Sequence, residues 1–358
     1  MKAFQIGDLK ISLPIIQGGM GVGVSLSGLA SAVASEGGVG VISCAGIGLY
    51  YPKLAKDYFS SCVEGLKEEI HKARSKTSGV IGVNIMVVLQ NFSDMVKTCI
   101  SEKVDIIFSG AGLPLDLPSY LTKDSVTKLV PIVSSARAAK LICDKWINNF
   151  GYVPDAIVVE GPKAGGHLGY KVNQIEDENF SLEKIVPEVV DQIKIYEEKH
   201  NRTIPVIAAG GIMTGEDIYK MIELGATAVQ LGTKFVTTTE CDASEDFKQT
   251  YLRSTKSDIE IIQSPVGLPG RAINGEFIQH VKEGTTKPKR CSFNCIKSCD
   301  YTKSAYCIVK ALFFAAKGNL KKGYAFAGAN AYLSDKISSV KETIETLKRE
   351  YEQIKIKN

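Results

Sequence analysis

One histidine stands out by its surroundings. In VVEGPKAGGHLGYK, residues 158–171, a β-branched run leads into a glycine-rich turn that holds His167 between Gly166 and Leu168. An imidazole takes or gives a proton near neutral pH, and a glycine loop offers less than an apolar helix face for burying a structural histidine. His167 is read as an acid–base group, with Glu160 and Lys163 flanking the turn and Gly165 and Gly166 freeing its backbone. Other stretches carry complementary chemistry. PIIQGGMGVGVS sets Gly18, Gly19, Gly21 and Gly23 after a short apolar run, where backbone N–H groups can approach a flat or anionic ligand. Met20 in that loop offers a thioether that packs on a π face as readily as in a core.

Asn84 interrupts the apolar run GVNIMV with an amide that can both donate and accept along the edge of a heterocycle; a turn former is the alternative. In IPVIAAGGIMTGEDIYKMIELGATAVQLGTKF, Gly210 and Gly211 precede a helical pattern, and Gln230, Leu231, Gly232 and Thr233 end the next apolar run. Two glycine-rich ends of this kind suit a phosphate, which backbone amides and a helix N-terminus can hold.

These residues need a scaffold that brings strand ends together. Eight β-branched runs, at 14–17, 39–43, 80–84, 105–108, 129–133, 156–160, 204–208 and 226–231, alternate with helical patterns at 26–36, 52–72, 93–102, 117–128, 136–149, 182–200 and 214–224. Eight strand–helix units in this length favour an α/β fold, a closed (β/α)8 TIM barrel, over an open doubly wound sheet, because no early strand opens into G-x-G-x-x-G. In a barrel all the chemistry-bearing ends lie on one rim, with the last two loops at the usual phosphate position. The barrel is assigned to residues 1–240. Residues 241–358 are assigned to a C-terminal extension packed on it: a Pro/Gly-rich loop QSPVGLPGRAINGEF, a cysteine cluster, a helix over 303–317 and a charged helix over 334–354.

The 358 residues are 44% hydrophobic with a net charge of +4, which is globular and gives no argument for a nucleic-acid partner. The basic segments 282–290 and 319–322 read as solvated loops. No signal peptide or apolar run of spanning length occurs, so the chain is expected to be cytoplasmic, without a membrane partner. Cys44, Cys62, Cys99, Cys143 and Cys241 are scattered singly, as reduced thiols would be. Cys291, Cys295, Cys299 and Cys307 follow C-x3-C-x3-C-x7-C, neither a zinc-ribbon nor a ferredoxin spacing. On a helix the first three would share a buried face, and no metal is expected.

Taken together, PIIQGGMGVG, GVNIM, EGPKAGGHLG, IPVIAAGGI, VQLGTKF and SPVGLPGRAI resemble, in order, the nitronate monooxygenase family (formerly 2-nitropropane dioxygenases) and the related flavin-dependent enoyl-acyl-carrier-protein reductases. The resemblance implies a (β/α)8 barrel that binds FMN. It places Gly19 and Met20 under the flavin, Asn84 at its edge, and Glu160 and Gly165 beside it, although Glu160 stands where many members have glutamine. It makes Gly210, Gly211, Gln230, Leu231, Gly232 and Thr233 the phosphate cradle and His167 the catalytic base. The implied reaction is oxidation of alkyl nitronates with O2 to a carbonyl compound and nitrite; the alternative is NAD(P)H-dependent reduction of an enoyl thioester. The partner is a small molecule, and a homo-oligomer is compatible with the sequence. The cysteine-rich stretch departs from the pattern of both branches.

Overall fold

A computed structural model describes residues 1–357. Eight parallel strands form one sheet: Ile15–Gln17, Gly40–Ser43, Ile81–Met86, Ile106–Gly110, Lys128–Val133, Ile157–Glu160, Val206–Ala209 and Ala228–Leu231. The sheet closes on itself because the first strand pairs with the eighth and also meets Val39 beside the second. Gln17 N donates to Val39 O (2.9 Å) and Val39 N to Ile15 O (3.0 Å). Gln17 also carries a side chain into the closure, where its Oε1 accepts from Val41 N at 2.9 Å. The fold is thus the (β/α)8 barrel, and each of the eight strands falls on its expected apolar run.

Two apolar layers explain why the strands read as nearly continuous hydrophobic stretches. One lies between sheet and helices. The other fills the barrel interior, where Ile16, Val41, Phe108, Val130, Val158 and Ile207 pack together. An antiparallel hairpin, Phe4–Ile6 with Leu9–Ile11, adds Phe4, Ile6 and Ile11 to that interior and plugs its N-terminal end. The opposite, C-terminal end is left open for the loops.

The helices Ser27–Ser35, Tyr58–Lys76, Phe92–Ser101, Ala136–Phe150, Leu182–His200 and Gly215–Glu223 surround the sheet. Their starts are chemically marked: Asp57 accepts from Phe59 N and Ser60 N, Ser135 from Ala138 N, and Thr214 and Asp217 form a capping box. The helix expected over 117–128 is not there. Only a 3-10 turn, Leu117–Tyr120, forms, because Pro118 lies within it and the next barrel strand already begins at Lys128. The C-terminal helix Val340–Lys357 packs against both Gly215–Glu223 and Ser27–Ser35, and so completes the ring between the last and first units.

Two further expectations are corrected beyond the barrel. The stretch expected as a loop contains a strand, Pro269–Ile273, paired antiparallel with Ile259–Gln263 on one side and with Gly166–His167 on the other. Pro269 is tolerated because it is the first residue of that strand. Gly270 is needed because a Cβ there would come within 2.8 Å of the Phe326 ring. The cysteine segment is not helical either. It crosses the rim as an irregular strap, tied by Gln90 N to Cys295 O (3.0 Å) and Lys297 N to Val88 O (2.9 Å), and the helix that follows spans only Ile308–Ala316.

Candidate active site

The open end of the barrel holds a cavity of about 260 Å³. His167, Gly19, Met20, Asn84, Glu160, Gly165, Gly210, Gly211, Gln230, Leu231, Gly232 and Thr233 all line it. Residues more than two hundred positions apart therefore meet for one reason: each sits at, or just past, the C-terminal end of a parallel strand. Lys163, which flanks the same turn as His167, is not among the lining residues.

The floor is built by close approach. A Cβ at Gly19 would overlap that of Asn84, so only glycine lets the first loop cross the third strand. Strand alternation does the rest: Val83 and Ile85 face the helices while Asn84 and Met86 face the cavity. Met20 lies in the same loop, with its amide donating to Ser25 Oγ at 2.8 Å.

Beside that loop, Gly232 follows the eighth strand, just ahead of a one-turn helix, Thr233–Val236, and Gly210 and Gly211 follow the seventh. Among the described residues, no backbone carbonyl takes the amides of Gly210, Gly211 or Gly232. These donors point to a ligand rich in acceptor oxygens. Thr233 Oγ1 accepts from Gly328 N (3.0 Å) and retains its own proton to donate.

His167 is held by parts that lie far away in sequence. Its backbone pairs with Gly270, and Leu168 N donates to Pro269 O at 2.9 Å. Its Nε2 lies 2.7 Å from Ser264 Oγ, which also accepts from Val266 N at 3.2 Å. The Phe326 ring meets the imidazole edge-on with centroids 5.1 Å apart. Burial pushes the His167 pKa down to about 4, so the ring is neutral at physiological pH and holds a free lone pair. In the tautomer that donates Nε2–H to Ser264, that lone pair is on Nδ1.

Glu160 ends the sixth strand. Tyr170 donates its hydroxyl proton to the Glu160 carbonyl oxygen at 2.7 Å, whereas the carboxyl group has no hydrogen-bonding partner among the described residues. Burial alone pushes this carboxyl up to about 7. The cavity therefore contains a neutral base and an acid that titrates near neutrality.

Four contributors to the site were not singled out by the sequence, although Ser264 and Arg271 lie within SPVGLPGRAI. Ser264 orients the imidazole. Arg271, almost wholly buried, donates from one guanidinium nitrogen to both Pro162 O and Ala164 O, and so ties the histidine turn to the extension. Phe326 covers His167, and Asn330 Nδ2 donates to Gly211 O at 2.6 Å. Phe326 and Asn330 lie in GYAFAGANAY, residues 323–332, a stretch in which nothing local shows which loop it reaches.

The strap contributes one thiol: Cys295 lines the cavity, and burial pushes it up to about 12, an unreactive thiol at neutral pH. Among the described residues no group of three or more His, Cys, Asp or Glu side chains is arranged to hold a metal, and no helix is long and apolar enough to cross a membrane.

Comparison with known proteins agrees with this geometry. The family model for nitronate monooxygenase matches residues 2–99 and 88–350. A probable nitronate monooxygenase of Staphylococcus haemolyticus is 28% identical over 320 residues, covering 78% of this chain and 81% of that protein. One from Staphylococcus aureus is 29% identical over 313 residues, covering 77% and 79%. Among solved structures, FabK from Thermotoga maritima superposes with a TM-score of 0.74 at 29% identity, covering 97% of this chain and 95% of its own. Nitroalkane oxidase from Streptomyces ansochromogenes shares the fold, with a TM-score of 0.73 at 20% identity and 97% coverage of both chains.

Proposed function

The chain belongs to the nitronate monooxygenase family of oxidoreductases, and from that premise we propose that it is an FMN-dependent enzyme that oxidises alkyl nitronates to a carbonyl compound and nitrite with O2. The observation that carries this reading is a neutral, oriented imidazole lining a cavity whose wall also presents unpaired backbone amides. The residues present fit FMN. Gly210, Gly211, Gly232 and Thr233 would hold its phosphate with neutral donors and a helix start. Gln230 and Leu231 would complete that cradle, and Gly19 and Met20 would lie under the ring, with Asn84 at its edge and Glu160 and Gly165 beside it. Bound there, the flavin would supply two-electron oxidation and pass the electrons to oxygen.

The chain's own work is to move one proton and exclude water. A C–H beside a nitro group is acidic, and His167, uncharged and oriented by Ser264, accepts that proton from a neutral nitroalkane. Phe326 and the Cys295 strap limit water access, which keeps the imidazole neutral. The second reading, NAD(P)H-dependent enoyl-thioester reduction, is favoured by one feature: Val266, Ile296, Ile308 and Leu312 extend the cavity wall with apolar surface suited to an acyl chain. Anaerobic stopped-flow spectroscopy of the purified protein separates them. The first reading expects flavin bleaching by propionate 3-nitronate and none by NADH; bleaching by NADH with reoxidation by a crotonyl thioester establishes the second. A preparation that is colourless and takes up no FMN overturns both.

A further inference from the structure

The charge of this protein is unevenly placed. Residues 282–322 carry ten lysines and arginines against two acidic residues, a local +8 in a chain whose total is +4, so the remainder is net −4. The two basic segments, far apart in sequence, come together. Lys289 and Arg290 from the first, Lys322 from the second, and Lys310 from the helix between them line one concave cleft of about 330 Å³. None of these four cations takes part in an ion pair among the described residues, although neighbouring Lys282, Lys303 and Lys321 each have an acidic partner. The floor of the cleft is apolar and aromatic, with Phe277, Tyr306 and Phe314 beneath the charges, and Lys322 lies 5.8 Å from the centre of the Phe314 ring.

Four unpaired cations converging on a cleft are mutually repulsive and remain so until an anion enters. A solvated lysine face does not need a concavity, and it does not need an aromatic floor. Arg290 adds a planar fork that matches phosphate oxygens. We propose that this cleft is a second ligand site, separate from the barrel cavity, that binds a phosphate ester with an aromatic body, of the size of a nucleoside monophosphate. The cleft lies behind the helix Ile308–Ala316: Lys310, Ala311 and Phe314 face the cleft, while Ile308, Val309 and Leu312 face the barrel cavity. A ligand there presses on the wall of the main cavity without entering it.

The test is isothermal titration calorimetry on the FMN-saturated protein, so that the barrel cradle is filled, using AMP, inorganic pyrophosphate and adenosine as probes. The site predicts saturable binding of AMP that weakens with added salt, is competed by pyrophosphate, and exceeds that of adenosine. Arg290→Ala with Lys322→Ala should weaken AMP by about tenfold or more, with flavin content unchanged, whereas Lys256→Ala, outside the cleft lining, should not. Absence of saturable AMP binding, or equal loss in the Lys256 variant, overturns the proposal. So does tight binding of polyglutamate that pyrophosphate fails to displace, which would make the surface a protein-docking face. None of these readouts depends on nitronate turnover, so the site stands or falls independently of the proposed reaction.

Discussion

The barrel rim and the C-terminal extension build the same cavity in opposite ways. On the rim, each residue is placed by its own strand: Asn84, Glu160 and Gln230 point inward because period-two alternation in a closed parallel sheet leaves no other direction. In the extension, Ser264, Arg271, Phe326 and Asn330 are placed by pairings that span about 100 residues, such as Gly270 with His167. The difference assigns a division of labour. On the function proposed above, the rim carries the polar groups that would touch ligand, and the extension orients them and covers the site.

The strongest way to break that division is to remove the rim base. His167→Ala should lower kcat/KM for a neutral nitroalkane by about 10²–10⁴-fold, the range of a positioned general base, while FMN remains bound. A preformed nitronate, which has already lost its proton, should suffer much less. Equal loss on both substrates, measured by oxygen uptake, would show that the residue serves packing instead. Next in size is the strut from the extension. Arg271→Met leaves the buried carbonyls of Pro162 and Ala164 without a donor, at a cost of roughly 1–3 kcal/mol for each unpaired group. The melting temperature should fall and turnover should fall with it, because the His167 turn loses its tether. A variant with wild-type melting and activity would remove the extension from the positioning role.

This contrast also explains what the sequence made legible. Strand ends were readable because the barrel is built from local units: a β-branched run, a glycine turn and a capped helix fall within thirty residues, and the rule that active groups cluster on one rim supplies the three-dimensional step. That placed the glycine-rich ends and His167 on the rim, and the resemblance narrowed them to the twelve residues that line the cavity. Pro269–Ile273 was hidden because proline and glycine read as a turn, and one of its two partners is a two-residue strand, Gly166–His167, too short to give any periodicity of its own. Arg271 sat within the quoted motif but carried no sign of burial, since its acceptors are carbonyls and carbonyls leave no trace in side-chain pattern. The cysteine spacing suggested a shared helix face, whereas the segment runs as irregular turns tied by hydrogen bonds to the loop after the third strand.

A milder probe of the same boundary is Ser264→Ala. The hydroxyl holds Nε2 of His167 at 2.7 Å and accepts from Val266 N, one buried donor against the two carbonyls of the Arg271 strut, so the melting temperature should fall less than in Arg271→Met. Loss of ring orientation should reduce kcat by about tenfold, within the range seen when a supporting hydrogen bond to a functional histidine is removed. KM and flavin content should hold steady. A rise in KM at constant kcat would instead mean that Ser264 contacts the substrate.

The smallest effect is the most discriminating, because it concerns the form of a pH profile more than the rate. Glu160 belongs to the rim, and burial without any charged partner raises its carboxyl from an ordinary 4.5 to about 7. The folded protein therefore keeps this proton where the unfolded chain has lost it. The resulting contribution to stability is complete below pH 4.5 and lost as pH rises through 7. His167 runs the other way: its pKa falls from 6.5 to about 4, so its contribution is present above 6.5 and lost as pH falls through 4. In kcat/KM against pH, the imidazole should be silent between 6 and 8, and an inflection near 7 should come from Glu160. Glu160→Gln should erase that inflection, leave the rate within a few-fold of wild type at pH 6, and melt higher than wild type above pH 7. Ser264→Ala should lower the same curve and leave the inflection in place. If the inflection moved in Ser264→Ala and persisted in Glu160→Gln, the titrating group would be the imidazole, and the extension would be setting the chemistry that is here assigned to the rim.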